Sequence, residues 1–276
     1  MPELPEVETI ARGLASRLTG DFIESVWLGS KPEPLKSSAA EIAATLQSRR
    51  IADVRRMGKH IVFELVSTRG RRSEKRVSAK AQWIVHLGMT GSMLVCKPEL
   101  EIAKHTHAVV KLASGRELRF VDPRRFGRLS VARDFDAVGC EPLDVKLDRF
   151  ITLFHGRKTP IKSALLNQKL LRGVGNIYAD ESLFRAGIRP RRRAASLTRE
   201  NLRRLYKSVQ EVLKEAIALG GSSVSDYVDS DGQEGSFQLE HRVYGREGER
   251  CLSCKAAIKR IVIAGRSSHY CPKCQT

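Results

Sequence analysis

No stretch of the chain reaches the roughly 18 consecutive apolar residues that a membrane span requires, so nothing in it is built to cross a bilayer. It also opens without the charged and then apolar leader of a secreted protein, and the expectation is a cytoplasmic, nucleoid-associated protein. Acidic residues are scarce: 31 Asp and Glu stand against 49 Lys and Arg, a formal charge of +18 over 276 residues. That surplus favours a polyanionic partner, nucleic acid ahead of an anionic membrane. The basic residues are interleaved with apolar ones rather than gathered into a polybasic tail, and no internal repeat is evident. The length allows one large domain, or two with an appendage, and enough chain to bury real cores.

Cysteine is sparse too, and its six copies fall into two classes. Cys96 and Cys140 stand alone and read as small apolar residues in or near a core. The other four form Cys251-Leu-Ser-Cys254 and Cys271-Pro-Lys-Cys274, with sixteen residues between the pairs. Two such pairs match a four-thiolate zinc site, each pair a tight knuckle presenting two sulfurs to one tetrahedral ion. Without an export signal, zinc is preferred over disulfides or redox motifs. The segment Ile258 to Tyr270 alternates around Ala264-Gly265-Arg266, which predicts a zinc-stapled β-hairpin with Arg266 near its tip. The ion is then structural, because four protein ligands leave no position open for chemistry.

The chain begins Met1-Pro2-Glu3-Leu4-Pro5-Glu6. A small proline behind the initiator Met favours Met removal, which would leave Pro2 with a free secondary amine. Such an amine can attack an electrophilic carbon and stay attached as a charged iminium, an electron sink for later eliminations. Terminal amines have reference pKa values of about 7.7–8.0, so a neutral fraction exists at physiological pH. Val7, Ile10, Ala11, Leu14 and Leu18 recur at helical spacing and predict a helix starting near Leu4 or Pro5. Pro5 suits its first turn, and Glu6 and Glu8 suit the positive end of its dipole. Glu3 lies just outside as a candidate proton carrier. The plainer reading is that these residues merely start a helix.

Residues 21–135 read as β-structure, with apolar or alternating runs at Ile61–Val66, Trp83–Leu87, Ser92–Val95, Ala108–Leu112, Leu118–Val121 and Leu129–Val131, and a helix around Ala39–Gln47. The segment 67–80 is almost devoid of apolar residues and reads as an exposed, mobile loop. From Leu143 to Leu219 the pattern turns helical, with candidates at Asp148–His155, Ile161–Leu166, Ile177–Ala186 and Thr198–Leu219. Gly220 to Gln238, rich in Gly, Ser and Asp, reads as a mobile loop over a site. The expected fold is α+β and multi-domain: a β-sandwich with an N-terminal helix over 1–140, a helical domain over 141–238, and a zinc-bound hairpin over 239–276.

Four further motifs carry chemistry, each with a plainer alternative. Gly173-Val-Gly175-Asn176 joins two helical patterns; Asn176 could cap the second helix, whose positive end makes an anion site that Lys158 or Lys162 could strengthen. It could equally be a simple connection. In Asp122-Pro-Arg124-Arg125-Phe126-Gly127, an Arg and an aromatic on one turn could wedge into a base stack, or Phe126 could tuck into the sandwich. His86-Leu87-Gly88-Met89-Thr90-Gly91 offers a second apolar tip, Met89, with the same ambiguity. Gly58-Lys59 could hold a lysine rigidly near a phosphate, or simply expose it.

Taken together and in this order, these motifs closely resemble the formamidopyrimidine-DNA glycosylases of bacterial base excision repair, over essentially the whole chain. The resemblance implies a bifunctional glycosylase and abasic-site lyase, a monomer that excises 8-oxoguanine and formamidopyrimidines from double-stranded DNA by β,δ-elimination. A helix-two-turn-helix would supply the Gly173–Asn176 phosphate site, and the protein would clamp a bent duplex with its active site in a cleft. By position, Pro2 is implied as the nucleophile, Glu3 as proton donor to the sugar, and Glu6 as a supporting carboxylate. Lys59 is implied at the lesion and its phosphate, and Arg266 as the finger arginine. His105, Arg124, Lys158 and Asn176 match DNA-contacting positions, and Met89, Arg124 and Phe126 the trio that fills the vacated stack. The 220–238 loop matches the cover over the extruded base.

The 67–80 segment looks longer than the turn usual there. Leu4 separates the chain from the endonuclease VIII type, which opens Pro-Glu-Gly-Pro-Glu and favours oxidised pyrimidines. Activity on pyrimidines, a damage-binding protein without catalysis, and an RNA-facing zinc-ribbon protein are the competing readings.

Overall fold

The computed structural model describes residues 1–67, 80–223 and 233–276, and in it the stripe Val7, Ile10, Ala11, Leu14 and Leu18 forms the buried face of helix α1, Leu4–Leu18. Glu3 is the N-cap and Pro5 lies in the first turn, where a missing amide hydrogen costs nothing. By contact density the chain divides into two compact units, Met1–Asp136 with Ser222–Gly235, and Ala137–Gly221 with Ser236–Thr276.

In the first unit α1 is followed by β1 (Ile23–Leu28), α2 (Ala39–Leu46), β2 (Arg49–Met57), β3 (His60–Ser67), β4 (Ala81–His86), β5 (Ser92–Cys96), β6 (Thr106–Leu112), β7 (Glu117–Val121) and β8 (Arg128–Ala132). The strands form two antiparallel four-stranded sheets, ordered β2-β3-β4-β8 and β1-β6-β7-β5. Ile61, Phe63, Trp83, Val85 and Leu129 of one share a core with Met93, Val110, Leu118 and Phe120 of the other, together with the α1 stripe and Ile42 and Leu46 of α2. This is the expected sandwich with an N-terminal helix. Sequence patterning did not single out β1 or β2. In β2 the core-facing Ile51 and Val54 are three apart, a helix-like spacing, because a bulge between Ile51 and Asp53 resets the two-residue alternation. Most of the 67–80 segment lies outside the described residues.

The second unit holds α3 (Leu147–Phe154), α4 (Ile161–Leu166), α5 (Asn176–Arg185), α6 (Arg199–Ala218), β9 (Lys259–Ile263) and β10 (Arg266–Tyr270). Thr198 caps α6 reciprocally with Asn201. The polar loop after α6 ends earlier than expected: Phe237–Glu240 is a 3₁₀ turn, Phe237 is buried, and its amide donates to the Gly221 carbonyl at 2.9 Å. The loop's middle, 224–232, lies outside the described residues. Val243, Cys251, Ile258 and Cys271 form a small core with Phe184 of α5, which places the hairpin in the same unit as the helices. Cys96 and Cys140 are both half-buried, and Cys96 closes the edge strand β5. No helix among the described residues is long and apolar enough to cross a membrane.

Candidate functional site

The opening residues are fixed by carboxylates. Pro2, Glu3 and Glu6 are buried. One Glu6 oxygen accepts the Glu3 amide at 2.7 Å, and the other accepts the Ser222 amide at 2.8 Å. Glu6 therefore positions the backbone beside Pro2 and ties it to Ser222. Lys59 is buried at a hairpin turn between β2 and β3, where Gly58 supplies φ +60°. Arg56 braces that turn, donating to the Gly58 carbonyl at 3.2 Å and to Glu8 of α1 at 2.7 Å. The Arg56–Glu8 pair was not legible in the sequence. The amino terminus is held below its usual pKa of 8.0, chiefly by burial; Lys59 and Arg124 push the same way, and Glu3 and Glu6 oppose them. Four of the predicted site residues thus bear electrostatically on the chain start.

The two apolar tips belong to turns that abut backbone to backbone. A Cβ on Gly88, at φ +67°, would meet the Phe126 carbonyl carbon at 2.4 Å, and one on Gly127 would meet Phe120 Cζ at 2.5 Å. Only glycine permits that approach. Buried Asp122 organises both turns, accepting from Thr90 Oγ1 at 2.5 Å, the Gly127 amide at 2.7 Å and the Arg124 amide at 3.2 Å. Its own amide donates to the His105 carbonyl at 2.9 Å, so exposed His105 sits beside the same turn. Phe126 is 46% exposed and Met89 41%, which rejects the reading in which Phe126 tucks into the sandwich. The Arg124 guanidinium lies 4.8 Å from the Phe126 ring centroid, which orients the pair.

Sequence reading passed over a basic ladder in the same unit. His60, His86 and Arg128 are register partners across β3, β4 and β8, and with Lys36, Ile84, Ser130 and Phe135 they line a cavity of about 340 Å³. Burial first, then His60, Lys59 and Arg128, push His86 down to about 4. Its Nδ1 sits 3.1 Å from the Gly88 amide, an acceptor role that requires the unprotonated nitrogen. His241, in the other unit, is likewise pushed down to about 4, chiefly by burial. A histidine whose folded pKa lies below its unfolded value near 6.5 contributes stability above pH 6.5 and loses it as pH falls toward 4. Each should cost up to about 3 kcal/mol at full titration. Urea midpoints should therefore drop between pH 7 and pH 4.5, and His86→Gln should flatten that slope; an unchanged slope would contradict the assignment.

In the second unit Gly175, not Asn176, is the N-cap of α5. The glycine adopts the extended cap conformation, so Asn176 becomes the first helical residue and its side-chain amide donates to Ser267 Oγ at 3.1 Å. Lys162 and Asp180, both fully buried, pair at 2.7 Å. Lys162 also donates to the Ser267 carbonyl at 2.5 Å, and Asp180 accepts the His269 amide at 2.8 Å. These bonds fix β10, which begins at exposed Arg266. Ala264 (φ +48°) and Gly265 (φ +75°) form the two-residue turn before it. Lys158 is exposed, just ahead of α4. Buried Glu181 accepts the amides of Arg242, Val243 and Tyr244 at 2.8–3.0 Å. Glu181→Leu strands the buried Val243 amide and two half-buried ones and should cost about 2–4 kcal/mol, read as a lower thermal midpoint.

The four finger cysteines form no disulfide, and their sulfurs all lie within 4.8 Å of one another. Cys251 and Cys274 are 3.8 Å apart and Cys254 and Cys271 3.3 Å. A tetrahedral ion with Zn–S bonds of about 2.3 Å spaces its sulfurs by roughly 3.8 Å, so the cluster fits one zinc with no open position.

Three family models match in succession: the formamidopyrimidine-DNA glycosylase N-terminal domain over residues 1–129, its H2TH domain over 138–228, and the zinc finger found in FPG and IleRS over 248–276. The chain is similar to the formamidopyrimidine-DNA glycosylase of Solibacter usitatus, at 43% identity covering 100% of this chain and 99% of the relative. Its fold is similar to the crystal structure of the Fpg protein of Thermus thermophilus, at 42% identity and a TM-score of 0.84, covering 99% and 98% of the two chains. It is also similar to Lactococcus lactis Fpg solved with abasic-site DNA, at 32% identity and a TM-score of 0.88 covering 99% of each chain. A complex of that protein with oxidised-pyrimidine DNA matches at 33% identity and a TM-score of 0.86, covering 100% of each.

Proposed function

Because the chain belongs to the formamidopyrimidine-DNA glycosylase family, we propose that it is a DNA glycosylase that removes oxidised bases from duplex DNA and then cuts the abasic site, with Pro2 as its nucleophile. The observation that carries this reading is the buried Pro2–Glu3–Glu6 start of α1, on which Lys59 and Arg124 also bear. Once Met1 is removed, the Pro2 nitrogen enters a setting that already disfavours the protonated amine.

The nitrogen bonds to C1′ of the damaged nucleotide, and the C1′–base bond breaks with its electron pair leaving on the base. Positive charge builds on the sugar, which the Glu3 and Glu6 carboxylates favour, and Glu3 donates a proton to the sugar. The C1′–O4′ bond opens as O4′ takes that proton, leaving an iminium. A proton is then lost from C2′ as the 3′ phosphate departs with its electron pair, and a second from C4′ as the 5′ phosphate departs, with Lys59 and Arg266 at those phosphates. Reaching C1′ requires flipping the nucleotide out at a cost of a few kcal/mol. Exposed Met89, Phe126 and Arg124 fill the vacated stack, while His105, Lys158 and Asn176 hold the backbone. Zinc contributes folding rather than chemistry, by holding the hairpin that carries Arg266.

Leu4 favours purine lesions, 8-oxoguanine and formamidopyrimidines. The relative solved with an oxidised pyrimidine keeps the pyrimidine reading alive, and excision rates on matched duplexes rank the two. The central test is an intact mass of the purified protein followed by borohydride trapping on abasic duplex. A protein lacking Met1 should yield a one-to-one covalent adduct. Excision of oxidised bases without any trapped species would overturn the covalent mechanism, and loss of both would overturn the glycosylase itself.

A further inference from the structure

The second unit carries a basic surface that none of these roles uses. Residues 189–193 read Arg-Pro-Arg-Arg-Arg. Two of the four arginines serve the fold: Arg189 donates to the carbonyls of Gln275 and Pro272 at 2.8 Å, and Arg192 to Ser196 and Asn201. A backbone bond from the Arg192 amide to the Arg189 carbonyl closes the turn, and a bridge sets Arg193 opposite Pro160, two residues from Lys158. The turn is therefore rigid. Arg191 and Arg193 are exposed, and among the described residues no carboxylate pairs with either. On α6 the opposite holds: Arg199, Arg203 and Lys207 pair with Asp148, Glu200 and Glu211.

Arg191 also lines a cavity of about 200 Å³ with Arg189, Pro190, Ile261 and Tyr270. Tyr270 is the register partner of exposed Lys259. A pocket with guanidiniums and a phenol at its wall, and no carboxylate among its lining residues, suits a phosphodiester. We propose that Arg191 and Arg193 form a second grip on the sugar–phosphate backbone of duplex DNA, continuous with Lys158. The grip rests on the duplex-DNA reading above. It reads no sequence, since it touches phosphates only.

The test is the salt dependence of affinity for a lesion-containing duplex. In the double variant R191A/R193A the log–log slope should fall by about 2, one for each phosphate no longer neutralised. R191K/R193K should keep most of the slope. R199A/R203A removes the same charge from α6 and should leave the slope in place. An unchanged slope in R191A/R193A, or an equal fall in R199A/R203A, overturns the grip. Either result with intact excision by the unmodified enzyme leaves the glycosylase reading standing, whereas failure of that enzyme to bind and cut duplex DNA removes both.

Discussion

Replacing Pro2 with glycine should abolish the borohydride-trapped adduct and slow excision by on the order of a thousandfold or more, the scale on which loss of a covalent nucleophile is felt. Glycine would leave a primary amine on a flexible residue in place of a secondary amine on a ring whose φ is fixed. A secondary amine would give an iminium with no N–H proton to lose, which serves as an electron sink without needing protonation. A primary amine gives an imine that must be protonated to act as the same sink. Helix α1 should survive the change, because its anchor is the apolar stripe from Val7 to Leu18. Duplex affinity should accordingly stay within a few-fold while single-turnover excision collapses. Undiminished nicking of 8-oxoguanine duplex by fully processed Pro2→Gly protein would remove the nucleophile assignment.

Loss of zinc should be felt as strongly, but in folding. The finger's own core is four buried residues with a few half-buried neighbours, too little apolar burial to hold a hairpin by itself. Structural zinc contributes apparent free energies of about 10–16 kcal/mol in finger peptides, so the hairpin should not persist without it. The purified protein should carry one zinc per chain. Chelation, or Cys271→Ser, should lower the thermal midpoint and weaken duplex binding at least tenfold as Arg266 loses its strand. Helices α3 to α6 have buried apolar residues outside the finger's core, among them Phe150, Leu165, Leu202, Val209 and Leu213, so helical signal should remain. Zinc-free protein with the same melting profile and the same duplex affinity would show the ion to be dispensable.

Much of this architecture was legible because it rests on local signals. The α1 stripe, the paired Cys-x-x-Cys knuckles and the Ala264-Gly265 turn are each written within a few residues. What escaped depends on partners distant in sequence. Strand β2 was hidden by its bulge, which spaces Ile51 and Val54 like a helix. The Glu8–Arg56 pair spans 48 positions, and the Glu6–Ser222 bond spans 216. The His60–His86–Arg128 ladder exists only once register is set. Asn176 was misread as a cap because Gly175, with no side chain to signal the role, takes that position. For Glu6, the sequence pointed to a carboxylate beside the chain start, but not to both its oxygens being occupied in holding main-chain amides.

The chain passes from the first unit to the second after Asp136, returns at Ser222 and leaves again after Gly235. A truncation at residue 136 would keep every strand of the sandwich yet deprive Glu6 of the Ser222 amide. The two halves are thus laced together covalently, and a single recombination junction could not transplant the sandwich into another protein with its chain start intact.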